Sequence, residues 1–261
     1  MKLLNFLGRL VLERVKILLN VIDIATTSVW SALFRSNRGR SAVVSVLLKQ
    51  IYFTGFEAIP IVSWIALIFG LIVVTQSLSI LPRFGGEGLM GEILVWVVVR
   101  EAGPVFASVI VIARSGTAIA SELGSMKVSK EVWSLEMMGI DPLHYLVMPR
   151  VLGTAVSVFV LTFYFEAVSI LGGYLLAGFG KNIAFGAYIS NVLGAMGFVD
   201  AGVSLLKSAL FGFIIGTVCS YHGLLVEKSI TQIPQETTKA VIGSLRLVFV
   251  TDAVITFLFF M

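Results

Sequence analysis

The sequence predicts an all-α integral membrane protein with about five transmembrane helices. Hydrophobic residues make up 57% of its 261 residues and charged residues only 13%, whereas soluble proteins carry about 25% charged residues. The mean hydropathy is +0.99, and stretches such as 66–80 and 152–165 contain no charge. This composition excludes disordered proteins, nucleic-acid-binding modules and small secreted scaffolds held by disulfides.

The length predicts a single integral domain. A membrane-spanning helix needs roughly 20 residues, so a chain of 261 residues accommodates five or six spans with their loops. The formal net charge of +4 is compatible with a polyanionic partner, but basic residues that flank membrane spans on the cytoplasmic side are the simpler explanation.

The first 16 residues form an amphipathic stretch, in which apolar residues alternate with charged residues at helical spacing. Arg9 interrupts the apolar run too early for a signal peptide, so we expect a helix that lies in the membrane interface. A basic cluster at 35–40 follows. Residues 1–50 are therefore predicted to form interfacial and elbow helices, and 51–261 the transmembrane core.

Five apolar windows predict the spans. They cover approximately 56–81, 89–120, 145–178, 203–226 and 240–261. The second and third exceed the length that a perpendicular helix requires. We expect tilt or a kink at Pro104 in the second, and a possible break at Gly172 and Gly173 in the third.

Basic residues predict the orientation. They are frequent before the first span, whereas the first outward loop contains only Arg83 and the next only Lys181. The positive-inside rule therefore predicts a cytoplasmic N-terminus. Five crossings place Met261 outside and the loops 121–144 and 221–239 inside, and both of these loops carry lysines.

The second window contains the adjacent charges Arg100 and Glu101, followed by Gly103 and Pro104. Charges at this depth are costly and usually face a cavity, a partner or a pore, which makes them functional candidates. The alternative is that both side chains neutralise partners on neighbouring helices and only stabilise packing.

The loop after the second window predicts a short helix that projects from the membrane. Its residues mix apolar and acidic side chains, namely Glu131, Val132, Leu135, Glu136 and Met138. Gly139 and then Asp141-Pro142 are expected to end it. Such a helix is suited to docking in a groove of a soluble subunit and transmitting force.

Several of these runs together resemble the MlaE/YrbE permease family. They are Arg100-Glu101-x-Gly103-Pro104-Val105, Ala113-Arg114-Ser115-Gly116, Glu122-Leu123-Gly124-x-Met126, and Ser134-Leu135-Glu136-Met137-Met138-Gly139-Ile140-Asp141-Pro142 before Pro149-Arg150. The similarity is strongest over 76–150 and weaker from Lys49 to the C-terminus. The first 40 residues resemble the family only in being amphipathic and basic.

The resemblance implies a permease domain over 1–261, in the bacterial inner membrane, within an ABC system that moves phospholipid and maintains outer-membrane lipid asymmetry. The implied partners are a second copy of the chain, a cytoplasmic ATPase, a possible STAS-domain subunit and a periplasmic MCE-type lipid-binding protein, with no nucleic acid. It implies no cofactor in this chain, since ATP and Mg would bind the ATPase.

The resemblance also implies roles for individual residues. The loop helix becomes a coupling helix with ATPase contacts drawn from Glu131, Leu135, Glu136, Met138, Gly139 and Asp141. The first, second and fifth spans would line an outward-facing lipid cavity, with Gln76, Arg100, Glu101 and Lys207 as its polar positions. Leu71, Val74, Leu78 and Leu81 recur at helical spacing, which suits walls for acyl chains but is equally typical of core residues. Lys207 is expected either to snorkel to the interface or to meet a lipid phosphate.

Glu166 departs from the family pattern, because a carboxylate stands where an apolar residue is usual. Pairing with Lys207, pairing with Arg114 and protonation all remain open. No phosphate-binding loop is found, since Gly180-Lys181 is followed by Asn182, so ATP hydrolysis must come from another chain. Isolated His144 and His222 predict neither a metal site nor catalytic residues.

Other functions remain as alternatives. The intramembrane charges also suit a proton-coupled secondary transporter, which predicts an inverted repeat that the sequence does not show. A membrane scaffold without transport would use the same charges as packing pairs. A lipid-modifying enzyme is the weakest alternative, because no Ser/His/acid set stands together.

Overall fold

The described part of the protein is entirely helical in its regular structure. The computed structural model describes residues 40–81, 89–181, 184–227 and 229–260. Five helical stretches are long and apolar enough to cross a membrane, and we number them spans 1 to 5: Val43–Ile80, Met90–Val128, Leu143–Leu175, Phe198–Leu224 and Ile230–Phe260. The prediction of an all-α membrane protein with five spans is confirmed.

The sequence predictions for the N-terminal segment fall largely outside the described residues. These are the amphipathic helix of 1–16 and residues 35–39 of the basic cluster. Arg83, Lys228, Met261 and the side chains of Arg40 and Lys181 also lie outside the described part.

The helices are α1 Arg40–Thr54, α2 Ile59–Ile80, α3 Met90–Leu94, α4 Gly103–Val111, α5 Thr117–Val128, α6 Glu131–Met137, α7 Met148–Lys181, α8 Phe185–Ala195, α9 Phe198–Leu224 and α10 Ile233–Phe260. Short 3-10 turns, Phe56–Ala58 and Ile230–Gln232, lead into α2 and α10. Three π-helical segments, Val95–Ala102, Ile112–Gly116 and Leu143–Val147, connect helices within spans 2 and 3.

Span 2 contains Pro104 in α4, a short α-helix between two π-helical segments. Pro104 lies in the first turn of α4 and has no N–H to donate to the preceding turn, and the Arg100 carbonyl oxygen, four residues earlier, accepts a hydrogen bond from Lys207 Nζ instead. The segments on both sides of α4 are π-helical, a wider winding that often marks functional sites. Arg100 and Glu101 lie within the first of them.

The predicted break at Gly172 and Gly173 is wrong, because α7 runs through both positions. The glycines instead allow spans 1 and 3 to approach closely. A Cβ atom on Gly173 would lie 2.4 Å from Val74 Cγ2, and one on Gly70 would lie 2.0 Å from the Ser169 carbonyl oxygen. Small residues at such contacts let backbones approach and gain van der Waals packing, which drives helix association in lipid.

Spans 3 and 4 form the centre of the bundle and pack equally closely. A Cβ atom on Gly212 would lie 2.6 Å from Ala155 Cα, and one on Gly216 would lie 2.7 Å from Val151 Cα. Phe165 is fully buried and stacks on Phe106 with a centroid distance of 5.6 Å. Spans 2 and 5 pack against this centre, and spans 2, 4 and 5 carry the charged residues described next.

Candidate functional site

Lys207 lies at the centre of an ion cluster that joins spans 2, 4 and 5. Its side chain is 0% exposed. The Nζ atom donates hydrogen bonds to the Arg100 carbonyl oxygen at 2.9 Å, Glu101 Oε2 at 3.1 Å and Thr256 Oγ1 at 2.7 Å, and it lies 2.8 Å from Asp252 Oδ1. A buried ammonium group is tolerated only when it is paired in this way.

The hydroxyl group of Thr256 links the cation to a carboxylate. It accepts a hydrogen bond from Lys207 and donates one to Glu101 Oε1 at 2.8 Å. Glu101 therefore uses both carboxylate oxygens within the network, and each retains a further lone pair. Because its members come from three different spans, the network fixes the positions of spans 2, 4 and 5 relative to one another.

Arg100 extends the cluster toward the loop before span 4. Its Nε atom lies 2.7 Å from Asp200 Oδ1, and its guanidinium lies over the rings of Phe260 at 4.1 Å and Trp96 at 5.6 Å. The second Asp200 oxygen accepts a hydrogen bond from the Gly197 N–H at 2.9 Å. Asp200 thus caps the N-terminus of α9 and pairs with span 2 at once.

A cavity of about 410 Å³ adjoins this cluster. It is lined by Glu101, Asp252, Ala253, Thr256, Phe257 and Phe260. All of these residues belong to spans 2 and 5, so this cavity lacks the wall that span 1 was expected to contribute. Its lining combines the carboxylates of Glu101 and Asp252 with the aromatic rings of Phe257 and Phe260.

The span 1 residues proposed as lipid contacts are separated from that cavity. Val74 is 0% exposed and packs against Gly173, and Leu81 is also buried. Leu71 and Leu78 are half-buried, and Gln76 is exposed. Within a single chain the structure therefore brings Arg100, Glu101 and Lys207 together but leaves the span 1 positions apart from them.

Three polar members of the cluster were missed in the sequence. Asp252 is an acidic residue inside the fifth apolar window, so the rule that intramembrane ionisable residues mark functional sites would have identified it. Thr256 follows four residues later, on the same face of the helix. The third is Asp200, and no local pattern predicts its contact with Arg100.

Glu166 pairs with neither Lys207 nor Arg114. Its Oε1 atom accepts a hydrogen bond from Ser204 Oγ at 2.6 Å, and Gly103 provides the space beside it, since a Cβ atom there would lie 2.7 Å from Glu166 Cγ. Arg114 instead forms an ion pair with Glu57 at 2.5 Å. The two alternatives that paired Glu166 with a cation are therefore wrong.

Lys207 does not snorkel to the interface, which was one of its two expected alternatives. A snorkelling lysine would direct its ammonium group to the membrane surface, whereas the Nζ atom of Lys207 is enclosed by protein oxygen atoms. His222, expected to be isolated in a loop, lies in α9 with its Nδ1 atom 2.8 Å from Glu236 Oε2.

The loop between spans 2 and 3 contains the helix predicted there, α6. Lys130 precedes it with a φ angle of 62° and Gly139 follows it with a φ angle of 74°, so both ends turn sharply. Val132 is buried and attaches the helix to the bundle. The other coupling candidates vary in exposure: Glu131, Glu136, Met138 and Gly139 are exposed, and Leu135 and Asp141 are half-buried.

The outer face of α6 carries large apolar side chains. Trp133, Met137 and Met138 are 58%, 69% and 65% exposed. A groove of about 340 Å³ is lined by Lys127, Lys130, Trp133 and Glu136. Exposed apolar groups with charged neighbours are typical of a protein-docking surface.

Most of this chain is similar in sequence to known proteins. The family described as Permease MlaE matches residues 47–258. A probable ABC transporter permease protein of Rickettsia typhi is 32% identical over 217 residues, which are 83% of this chain and 84% of that protein. The intermembrane phospholipid transport system permease protein MlaE of Haemophilus influenzae is 27% identical over 82% of this chain and 83% of its own.

A plant protein is also similar over most of this chain. The chloroplastic protein TRIGALACTOSYLDIACYLGLYCEROL 1 of Arabidopsis thaliana is 29% identical over 213 residues, which are 82% of this chain and 61% of that protein. The matched regions include spans 2 to 4 and the loop that contains α6. The chain belongs to the MlaE permease family.

Proposed function

We propose that this chain is the membrane permease subunit of an ABC transporter that moves phospholipid between the inner membrane and a periplasmic MCE-type lipid-binding protein, and thereby maintains outer-membrane lipid asymmetry. The name of the Haemophilus relative supports phospholipid as the substrate. The observation that carries the proposal is the Lys207 ion cluster beside a cavity lined by both polar and apolar side chains, because a phospholipid needs polar groups for its headgroup and apolar walls for its chains.

A second copy of the chain is the proposed partner within the membrane. Span 5 is the least buried span, with 17% of its most apolar window buried. Its exposed side chains include Val250, Val254 and Phe257. A symmetric contact through span 5 would enclose the two cavities between the copies, and in lipid this contact would be stabilised by packing.

The proposed energy source is a separate ATPase that docks on α6 and binds ATP and Mg; a STAS-domain subunit is a further proposed partner. Span 2 connects this docking surface to the ion cluster, since it runs from the π-helical segment that carries Arg100 and Glu101 through α4 and α5 to the turn at Lys130. A displacement of α6 is therefore transmitted along the element that carries Arg100 and Glu101. ATP binding would shift the population between two cavity shapes.

The proposed location is the bacterial inner membrane, with the N-terminus and α6 on the cytoplasmic side. The ion cluster then lies toward the periplasmic side of the bundle, because Asp200 is next to the start of α9 and Phe260 ends α10. This position suits the transfer of lipid to or from a periplasmic protein.

Reconstitution tests the proposal. The chain is expressed with the ATPase and MCE genes of its own operon, and the purified complex is placed in liposomes that contain a fluorescent phospholipid. We expect a stable complex and transfer of lipid to or from the MCE protein only when ATP is hydrolysed. A chain that purifies without an ATPase, or that moves lipid without ATP, would contradict the proposal.

A further inference from the structure

The described ionisable groups of the ion cluster include more carboxylates than cations. This excess suggests which lipid headgroups the proposed transport site accepts. The three carboxylates of Glu101, Asp200 and Asp252 face the two cations of Arg100 and Lys207. When all are ionised, the cluster carries an excess negative charge. Glu166 lies just behind Gly103, and its carboxyl group can only add to that excess.

The two cations are occupied by protein groups. Lys207 is 0% exposed, and its Nζ atom is bound by Glu101, Thr256 and the Arg100 carbonyl oxygen. Arg100 directs its Nε atom at Asp200 and places its guanidinium on the ring of Phe260. Neither cation is among the described residues that line the cavity, and the Arg100 side chain, which is 24% exposed, is paired with Asp200.

Two of the three carboxylates, in contrast, line the cavity. Glu101 and Asp252 are its only charged lining residues among those that the structure describes, and the Glu101 side chain is 40% exposed. Phe257 lines the same cavity and is 61% exposed. A carboxylate with free lone pairs next to an exposed aromatic face is a favourable environment for an ammonium group, through ionic hydrogen bonds and cation–π attraction.

We propose that this cavity selects phospholipids whose headgroup carries an ammonium group, such as phosphatidylethanolamine, over phospholipids with a net anionic glycerol headgroup. The inference rests on the proposed transport function and adds the headgroup class to it. An ammonium group compensates the excess negative charge beside Glu101 and Asp252. An anionic headgroup increases it, at a site where low dielectric strengthens the repulsion.

Lipids bound to the complete transporter complex provide the test. The complex is purified from nanodiscs that contain phosphatidylethanolamine and phosphatidylglycerol in equal amounts and with identical acyl chains, and the bound lipids are quantified by mass spectrometry. We expect phosphatidylethanolamine to be enriched by about threefold or more over the nanodisc composition, given the usual strength of a cation–π contact plus an ionic hydrogen bond.

Two pairs of variants assign any enrichment to this cavity. Phe257→Ala removes the aromatic face without touching an ion pair and is expected to lower the enrichment, whereas Phe259→Ala, a control of similar exposure in the same helix, retains it. Glu101→Gln is expected to lower the enrichment because it removes a negative charge from the cavity. The control is Glu92→Gln, which neutralises an exposed glutamate of the same span and is expected to retain the enrichment. Equal effects of Phe257→Ala and Phe259→Ala would overturn the assignment.

Failure of the selectivity is distinguishable from failure of transport. A complex that binds and transfers phospholipid, but holds both headgroups in the nanodisc ratio, overturns the headgroup proposal and leaves the transport function intact. A complex that holds no phospholipid and transfers none overturns both.

Discussion

The ammonium group of Lys207 in span 4 lies 2.8 Å from a carboxylate oxygen of Asp252 in span 5. The lysine is fully buried and the aspartate side chain is 14% exposed, and Asp252 also lines the cavity. Two helices that follow each other in the chain are thus joined by charge at a depth where neither charge is tolerated alone.

Removing the lysine charge is expected to destabilise the protein. Lys207→Met leaves Glu101 and Asp252 without their common cation, and breaking a buried pair typically costs about 3–5 kcal/mol. We expect a clearly lower melting temperature in detergent, measured by the fluorescence of the tryptophans.

Two further variants control this experiment. Lys239→Met removes a lysine whose side chain is 62% exposed, and we expect it to leave the melting temperature nearly unchanged. The double variant Lys207→Met with Asp252→Asn removes one of the uncompensated carboxylates and should recover part of the lost stability. Equal melting temperatures for Lys207→Met and Lys239→Met would contradict the structural role of the cluster.

The close approach of spans 1 and 3 predicts a strong effect of a single methyl group. Gly70→Ala places a Cβ atom 2.0 Å from the Ser169 carbonyl oxygen, so the two helices must separate, at a cost of about 1–3 kcal/mol. Gly202→Ala is the matched control, since a Cβ atom there meets no atom within 4 Å. Thermal unfolding should distinguish the two, and a Gly70→Ala protein as stable as the control would show that these spans do not pack as described.

The docking surface on α6 predicts a loss of assembly without a loss of folding. Glu136 is exposed and lines the groove with Trp133, so Glu136→Lys reverses a charge at the proposed interface and Trp133→Ala removes its largest apolar group. We expect both variants to reach the membrane at normal levels but to pull down less ATPase.

Ser134→Ala serves as the control on the same helix, because Ser134 is exposed and its hydroxyl group donates a hydrogen bond to the Lys130 carbonyl oxygen of its own loop. It should assemble normally. Unimpaired ATPase binding by Glu136→Lys and Trp133→Ala would place the interface elsewhere.

The orientation predicted from the basic residues is testable in intact cells. Phe198 is fully exposed at the start of span 4, and Ser129 is exposed before α6. A membrane-impermeant maleimide should label Phe198→Cys in cells whose outer membrane has been permeabilised, and should label Ser129→Cys only after the inner membrane is opened. Cys219 is buried and gives a low background. The reverse labelling pattern would show that the topology is inverted.

Much of the fold was predictable from the sequence because membrane spans are specified by local composition. The apolar windows, and the glycine and proline that end α6, are local signals that the lipid environment makes reliable. The break expected at Gly172 and Gly173 was wrong for a physical reason. In lipid a helix keeps its backbone hydrogen bonds, and small residues are used for close contact instead.

The candidate site was predictable only in part. Arg100, Glu101 and Lys207 were recognisable as charges in apolar windows, but their mutual pairing depends on contacts between residues 106 or 107 positions apart, which no periodicity encodes. Span 1 residues at helical spacing were expected to line the cavity together, whereas Val74 faces the bundle. Spacing identifies a helix face but does not show what that face contacts.

The transfer rate of Glu101→Gln measures the role of the ion cluster most directly. The variant keeps hydrogen-bonding groups near Lys207 and Thr256 but removes the charge that faces the cavity. In liposomes that contain the complete complex, we expect normal assembly and ATP hydrolysis, together with a large loss of ATP-dependent phospholipid transfer. An assembled Glu101→Gln complex that transfers phospholipid at the wild-type rate would show that the cluster only packs the helices and that lipid passes elsewhere.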